Sequence, residues 1–239
     1  MVGAVLAVLS MWIILIFWDQ SFTALRVDVK MNRSAAIAAT TEQVGAFPLI
    51  SEHTESAAIY NFDSVLRNYI ELKQGGKEQF QAIINGGTYA PYFWSVRVFE
   101  ENEISEGTFF YKPNGEANGF SLKVPDDYED TSVSEAEALV MVRGNIDRYW
   151  MGDLRDYELV ERSFEEQSNG RIDHTFIFEH AQNNLGEARF RLSVSVSGSQ
   201  LSRIKPFTFV PEGFSLEFSS MRSSNNVVMT VFQYRLLHH

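Results

Sequence analysis

The 239-residue chain contains no cysteine, which excludes a disulfide framework, a thiol nucleophile and a cysteine-ligated zinc site. That absence fits a protein of the bacterial envelope. Histidine is scarce: His53, His174, His180, His238 and His239 are the five present. No H-E-x-x-H, G-x-S-x-G, Walker-type or G-x-G-x-x-G pattern occurs. Basic charge is also short, with 20 Lys and Arg against 31 Asp and Glu and a net charge of -11. A surface of that sign repels phosphate backbones and argues against nucleic acid as a partner.

Charge is missing altogether from Met1 to Trp18, which reads MVGAVLAVLSMWIILIFW before Asp19. As a helix this run is about 27 Å long, near the minimum for crossing a hydrocarbon core. It has neither a basic leader nor an A-x-A-like cleavage site. The expectation is an uncleaved transmembrane anchor over residues 1–18, with Trp12 and Trp18 at the interfaces. Arg26, Lys30 and Arg33 follow the anchor, and the positive-inside rule applied to them alone places the remainder in the cytoplasm.

Behind the anchor the pattern is α+β. An alanine-rich helix starts at Asn32 or Ser34 and stops at Gly45, and Ser64 to Lys73 forms a short amphipathic helix. Another helical turn is expected over Gln79 to Ile84. From Tyr92 the period changes to two: Trp94, Val96 and Val98 share one strand face, and Pro113-Asn114-Gly115 marks a hairpin turn. A helix capped by Thr131 or Ser132 follows, with Ala136, Leu139, Val140, Ile146 and Trp150 as its apolar face. YELVERSFEEQ, RIDHTFIFEH, ARFRLSVSVSG and SRIKPFTFV then form a four-stranded antiparallel meander. From Pro211 a helical stripe runs through Phe214, Phe218, Met221, Asn225, Val228 and Phe232. Its uncharged second half, Val227 to Phe232, spans only about 9 Å and reads as the opening of a membrane span. The order gives two helix-on-antiparallel-sheet units, residues 19–125 and 126–210, and a C-terminal helix over 211–239 leading toward the membrane.

Chemistry-bearing residues do not converge. His174 and His180 share a strand face but lie about 20 Å apart, too far for one metal, and read as cross-strand surface or edge residues. Asp173 and Glu179 are equally separated on the opposite face. Glu100-Glu101 and Glu165-Glu166 read as solvated charge at strand ends, and Arg97, Arg189 and Arg191 as cross-strand partners of acids or aromatic rings. Asn32-Arg33-Ser34 matches a glycosylation sequon, a pattern common by chance. Catalytic, cofactor-binding and metal-binding residues are therefore each expected to be none.

WSVRVF (Trp94 to Phe99), KPNGEANGF (Lys112 to Phe120), RIDHTFIFEH (Arg171 to His180), LGEARFRLSVSVSG (Leu185 to Gly198) and VPEGF with MRSSNN (Val210 to Asn226) occur in order. Together they resemble the N-terminal, non-catalytic region of large bacterial CPBP-family intramembrane proteases, relatives of the CAAX prenyl endopeptidases. Arg33 with Ala35 and Ala36 fits the first helix of that region. The family's catalytic core is a multispanning bundle with a glutamate pair, a following arginine and two histidine-bearing helices. Glu165-Glu166 with Arg171 departs from that spacing and stands in a strand-and-turn context. After Asn226 the family continues into membrane spans, whereas this sequence reads VVMTVFQYRLLHH. The resemblance implies an extracytoplasmic accessory or substrate-gating domain beside a membrane-embedded protease core and its protein or peptide substrates. The alternative is a stand-alone, membrane-anchored binding or chaperone-like module without enzymatic activity.

Overall fold

The structure, a computed structural model, describes residues 10–12, 27–51, 54–87, 89–101, 104–214 and 216–221. Helix α1 (Arg33–Val44) leads into strand β1 (Glu55–Phe62), and two short helices, α2 (Ser64–Lys73) and α3 (Lys77–Gly86), separate β1 from β2 (Tyr92–Phe99). Strands β3 (Glu106–Tyr111) and β4 (Ala117–Lys123) complete the first half. Helix α4 (Glu135–Asn145), 3-10 turns at Ile146–Arg148 and Leu154–Asp156, and strands β5 (Tyr157–Glu166), β6 (Ile172–Leu185), β7 (Ala188–Ser197) and β8 (Gln200–Phe209) form the second.

The two expected units are not separate sheets. All eight strands make one open antiparallel sheet in the order β1-β2-β3-β4-β8-β7-β6-β5. The halves join where β4 meets β8, with Phe120 opposite Ile204 and Ser121 opposite Arg203. Joining satisfies the inner edge of each meander, which would otherwise carry unpaired backbone groups. Gly119 makes the junction close: its φ is +105°, and a Cβ there would lie 2.0 Å from the Ile204 carbonyl oxygen.

Alternation along the strands puts one face of this sheet inside. Val96, Phe109, Phe120, Phe176, Leu192, Val194 and Ile204 are fully buried there, and α1 and α4 cover them through Ala36 and Ala138. Small residues at these contacts let the helix backbones approach the sheet closely. The expected α1 cap is Asn32, whose Oδ1 accepts from Ala35 N at 2.9 Å. Helix α4 differs from the expectation at its start and in part of its face: Ile146 and Trp150 are buried and Leu139 packs on the core as expected, whereas Ala136 and Val140 are exposed. Ser134 is the cap, in a reciprocal capping box with Glu137. Ser132 instead accepts from Ile172 N at 2.9 Å. The buried stripe is Ala138, Val142 and Ile146, and Val140 is 70% exposed. Two stripes of the helix are apolar in sequence, and the one carrying Ala138 and Val142 meets the sheet.

A second core lies at the end of the sheet where α2 and α3 fold over. Leu66, Tyr69, Ile70, Phe80 and Ile83 pack there against Leu185, Ala188 and Phe190 of the β6–β7 hairpin. Val27 and Val210 also pack on it, and so do Phe214 and Phe218 from the helical residues 212–214 and 216–221. The helix expected from Pro211 thus begins as read, with Phe214 against Tyr69 at 5.0 Å. Residues 222–239, and with them its second half, lie outside the described residues.

Of the apolar run Met1–Trp18, residues 10–12 are described and are helical; the rest lies outside the described residues. Among the described residues no helix is long and apolar enough to cross a membrane.

Candidate binding cleft

The cleft is built where elements from both halves of the chain meet. After α4 the chain turns through Ile146–Arg148 and lays Tyr149 to Met151 beside the start of β4: Gly119 N donates to Tyr149 O at 2.7 Å and Met151 N to Ala117 O at 3.1 Å. Those bonds occupy a stretch of β4 that β8 does not pair, since the β4–β8 ladder has only two registered positions. They also hold Trp150 inward, 4% exposed, with its ring edge-on to Tyr157 at 5.3 Å. Tyr157 in turn meets the His180 ring at 4.8 Å.

The opposite wall is the exit from α3. Gly87 has φ +70°, the left-handed conformation that ends a helix, and the chain then delivers Tyr89 to the sheet. The Tyr89 ring stacks on Phe190 at 4.9 Å, and its hydroxyl donates to Asp63 Oδ2 at 2.7 Å. Thr208 donates to the same oxygen at 3.0 Å, while Leu66 N donates to Asp63 Oδ1 at 2.9 Å as the α2 cap. One carboxylate thereby ties β1, α2, the α3 exit and β8 together.

Three cavities adjoin between these walls. The largest, about 680 Å³, is lined by Arg143, Ile146, Leu154, Leu159 and Phe178 among others. It shares Gly152, Asp153 and Tyr157 with a second of about 250 Å³, where Trp150 and His180 also lie. That one shares Gly87, Tyr89, Ala90 and Lys112 with a third of about 450 Å³, bordered by Val27 and Tyr92. The volumes are those of sites that hold a ligand or several residues of a peptide.

Most charged groups at the cleft answer one another. Arg155 holds the Asp153 carboxyl down at about 2 through side-chain and backbone hydrogen bonds. Lys112 donates to Glu116 at 2.9 Å and lowers its pKa. Burial, reinforced by the Asp156 charge, pushes the Tyr157 hydroxyl up to about 12. Burial and the Asp63 carboxylate drive Tyr89 well above the ordinary tyrosine value. Both phenols stay protonated at neutral pH and serve as hydrogen-bonding surfaces rather than bases. Lengthwise, the cleft offers aromatic and aliphatic walls with ion pairs at its rim.

The residues singled out in the sequence fall elsewhere, with one exception. His174, expected at a surface or edge, is 6% exposed, because the connector between the halves covers it and the Val133 carbonyl lies 2.9 Å from its Nε2. His180 alone reaches the cleft. Its Nδ1 accepts from Gln182 N and Asn183 N, both at 3.2 Å, so the end of β6 orients the ring. Glu165 and Glu166 are exposed at the end of β5, opposite Asp173 and Ile172, while Arg171 is buried. Asp173 pairs with Arg171, and Glu179 with Arg189 and Arg191. Arg97 pairs with Glu106 and lies 4.8 Å over Phe99, and Arg191 lies 4.0 Å over Phe209, the arginine pairings read from the sequence. Among the described residues no three His, Asp or Glu side chains gather as a metal set. His53, His238 and His239 lie outside the described residues.

Sequence reasoning missed Tyr89, Lys112, Trp150, Asp153 and Tyr157 as cleft residues. They come from separate loops and turns, and no spacing connects them. In comparison with known proteins, no family model, no curated protein and no solved structure matches the chain.

Proposed function

We propose that this chain is a membrane-tethered, extracytoplasmic accessory domain that holds an extended polypeptide in the cleft and presents it to a membrane-embedded protease of the CPBP type. In this reading it carries out no bond cleavage of its own. The observation that supports the reading best is the run of adjoining cavities from Phe178 through Trp150 and Tyr157 to Tyr89 and Tyr92. Its aromatic walls suit apolar side chains. The ordered resemblance of five segments to the non-catalytic region of those proteases supports the choice of partner.

The test places a photo-reactive group at Met151, 50% exposed beside the cleft, in the full chain, with a second at Val140, 70% exposed on the outer face of α4. Extended peptides with apolar side chains are expected to cross-link at Met151 and not at Val140, and Tyr157→Ala is expected to reduce the yield. Equal labelling at the two positions removes the cleft from consideration. Isolation from native membranes separates the partner question. Recovery with a multispanning protein bearing paired glutamates supports the accessory role, whereas recovery alone favours the stand-alone binding module.

A further inference from the structure

Both chain ends that lead away from the domain leave from the same place. Val27 packs on the core under α2 and α3, and so do Val210, Phe214 and Phe218 at the other end. Eight residues, Asp19 to Arg26, separate Val27 from the apolar run ending at Trp18. Fully extended they reach at most about 29 Å. Any bilayer that takes up that run must lie near this end of the molecule.

The outer surface at this end is apolar where solvent-facing helices are normally charged. Val65 and Leu72, one heptad apart on α2, are 44% and 47% exposed, and Phe62 beside them is 42% exposed. Leu216, 66% exposed, adds to the same side, because Lys73 at the end of α2 pairs with Glu217 at 2.7 Å and sets the two helices side by side. The charges on α2 are matched, Lys73 with Glu217 and Arg67 with Glu71 at 3.9 Å and over the Phe62 ring at 4.6 Å, while exposed Glu212 forms no ion pair among the described residues. An apolar patch whose α2 charges are paired suits an interface of zwitterionic lipid, and tethering by the preceding run supplies the high local concentration that lets a small patch engage.

We infer that the face formed by α2 and the helical residues 212–214 and 216–221 rests on the lipid surface, with Phe62, Val65, Leu72 and Leu216 seated at the headgroup level. The β5–β6 and β7–β8 turns, at the opposite end of the strands from this core, then point away from the bilayer. The inference rests on the tethered reading above and adds the orientation of the domain.

Because the chain lacks cysteine, single-cysteine variants report one position each. The full chain bearing Leu72→Cys, Leu216→Cys, Val140→Cys or Phe164→Cys, labelled with a fluorophore, is reconstituted in phosphatidylcholine vesicles carrying headgroup-level nitroxide lipids. Flotation is read first. The labels at positions 72 and 216 are expected to be quenched about twofold more than those at 140 and 164, as for side chains seated about 5–10 Å into the interface. A chain that fails to float with the vesicles overturns the tether and the orientation together. A chain that floats with all four labels quenched alike overturns the orientation alone. Labels at 72 and 216 shielded from an aqueous quencher yet untouched by the lipid nitroxides mark a protein contact on this face and also overturn the lipid assignment.

Discussion

The first half of the sheet, α1 with β1–β4, and the second, α4 with β5–β8, place a helix and then four antiparallel strands in the same order, and the strand order reads alike from either edge. Each helix meets the sheet through an alanine and a residue four positions later: Ala36 and Thr40 on α1, Ala138 and Val142 on α4. The halves differ in how the chain enters each helix. Before α1, Lys30 N and Met31 N both donate to the Pro113 carbonyl in the β3–β4 turn, at 3.0 and 2.9 Å, and the Trp94 indole donates to Met31 O at 2.9 Å. Before α4, the equivalent segment is held by charge. Arg171, its side chain 1% exposed, bonds Asp173 and donates to the carbonyls of Pro125 and Tyr128 at 2.9 and 2.6 Å. Asp130 accepts from Ser199 N at 2.9 Å and Ser199 Oγ at 2.8 Å in the β7–β8 turn.

One topology is thus closed by neutral hydrogen bonds in one half and by a buried ionic clamp in the other. The halves also diverge at their first hairpin. The β5–β6 connection is a tight turn in which Gln167 N donates to Arg171 O at 2.8 Å, while α2 and α3 fill the corresponding place between β1 and β2 and create one wall of the cleft. A twofold plan gains a cleft where it is broken.

Breaking the clamp tests the contrast most strongly. Arg171→Ala leaves Asp173 and two carbonyls without their donor and is expected to cost about 3 kcal/mol in denaturant unfolding. The 18% exposure of the Asp173 side chain keeps this toward the low end for a buried pair. The corresponding change in the first half, Trp94→Phe, removes one neutral hydrogen bond and is expected to cost about 1 kcal/mol. Equal losses from the two variants would erase the distinction between the halves.

Next in size is Gly119→Ala at the seam. Positive φ and the Ile204 carbonyl both oppose a side chain there, and the expected loss is about 2 kcal/mol in the same measurement. An unchanged midpoint would show that the β4–β8 junction yields without resistance.

The smallest effect is a pH dependence of the contact that Asp130 makes before α4. Burial alone would raise the Asp130 carboxyl, but the Ser199 backbone and hydroxyl donors outweigh it and lower the pKa below 3.8. A carboxyl lowered in the folded state adds stability above its unfolded value and loses it as pH falls through the folded one. The melting-temperature gap between the native chain and Asp130→Asn should therefore narrow as pH drops below about 4. A gap that stays constant from neutral to acid pH would show that the Ser199 contact does not titrate. The contacts that Lys30 and Met31 make before α1 have no counterpart, since backbone bonds to Pro113 carry no titrating group.

Much of the local structure was legible. Asn32, Gly45, Ser64 to Lys73, the Pro113-Asn114-Gly115 turn and the four strands of the second half fall where caps, turn residues and periods indicated. The cleft was not legible, because Tyr89, Trp150 and Tyr157 belong to segments whose placement depends on how α3 ends and how Tyr149 to Met151 attach to β4. His174 and Val140 show the same limit in opposite directions: a histidine in an alternating strand is buried by a remote connector, and a valine on a helix is left in water because a neighbouring stripe fits better.

By itself, the sequence determined the elements: periodicity, capping side chains and turn residues act over a few positions, and each element inherits its inner face from them. The tertiary structure decided that the two meanders share one sheet, which stripe of α4 faces inward, and that the walls of a cleft come from both halves. Those outcomes rest on contacts such as Phe120 with Ile204, Asp63 with Thr208 and Arg171 with Pro125, whose partners lie far apart along the chain. Close packing and the pairing of buried polar groups select among locally equivalent arrangements, and neither is expressed until the chain is folded.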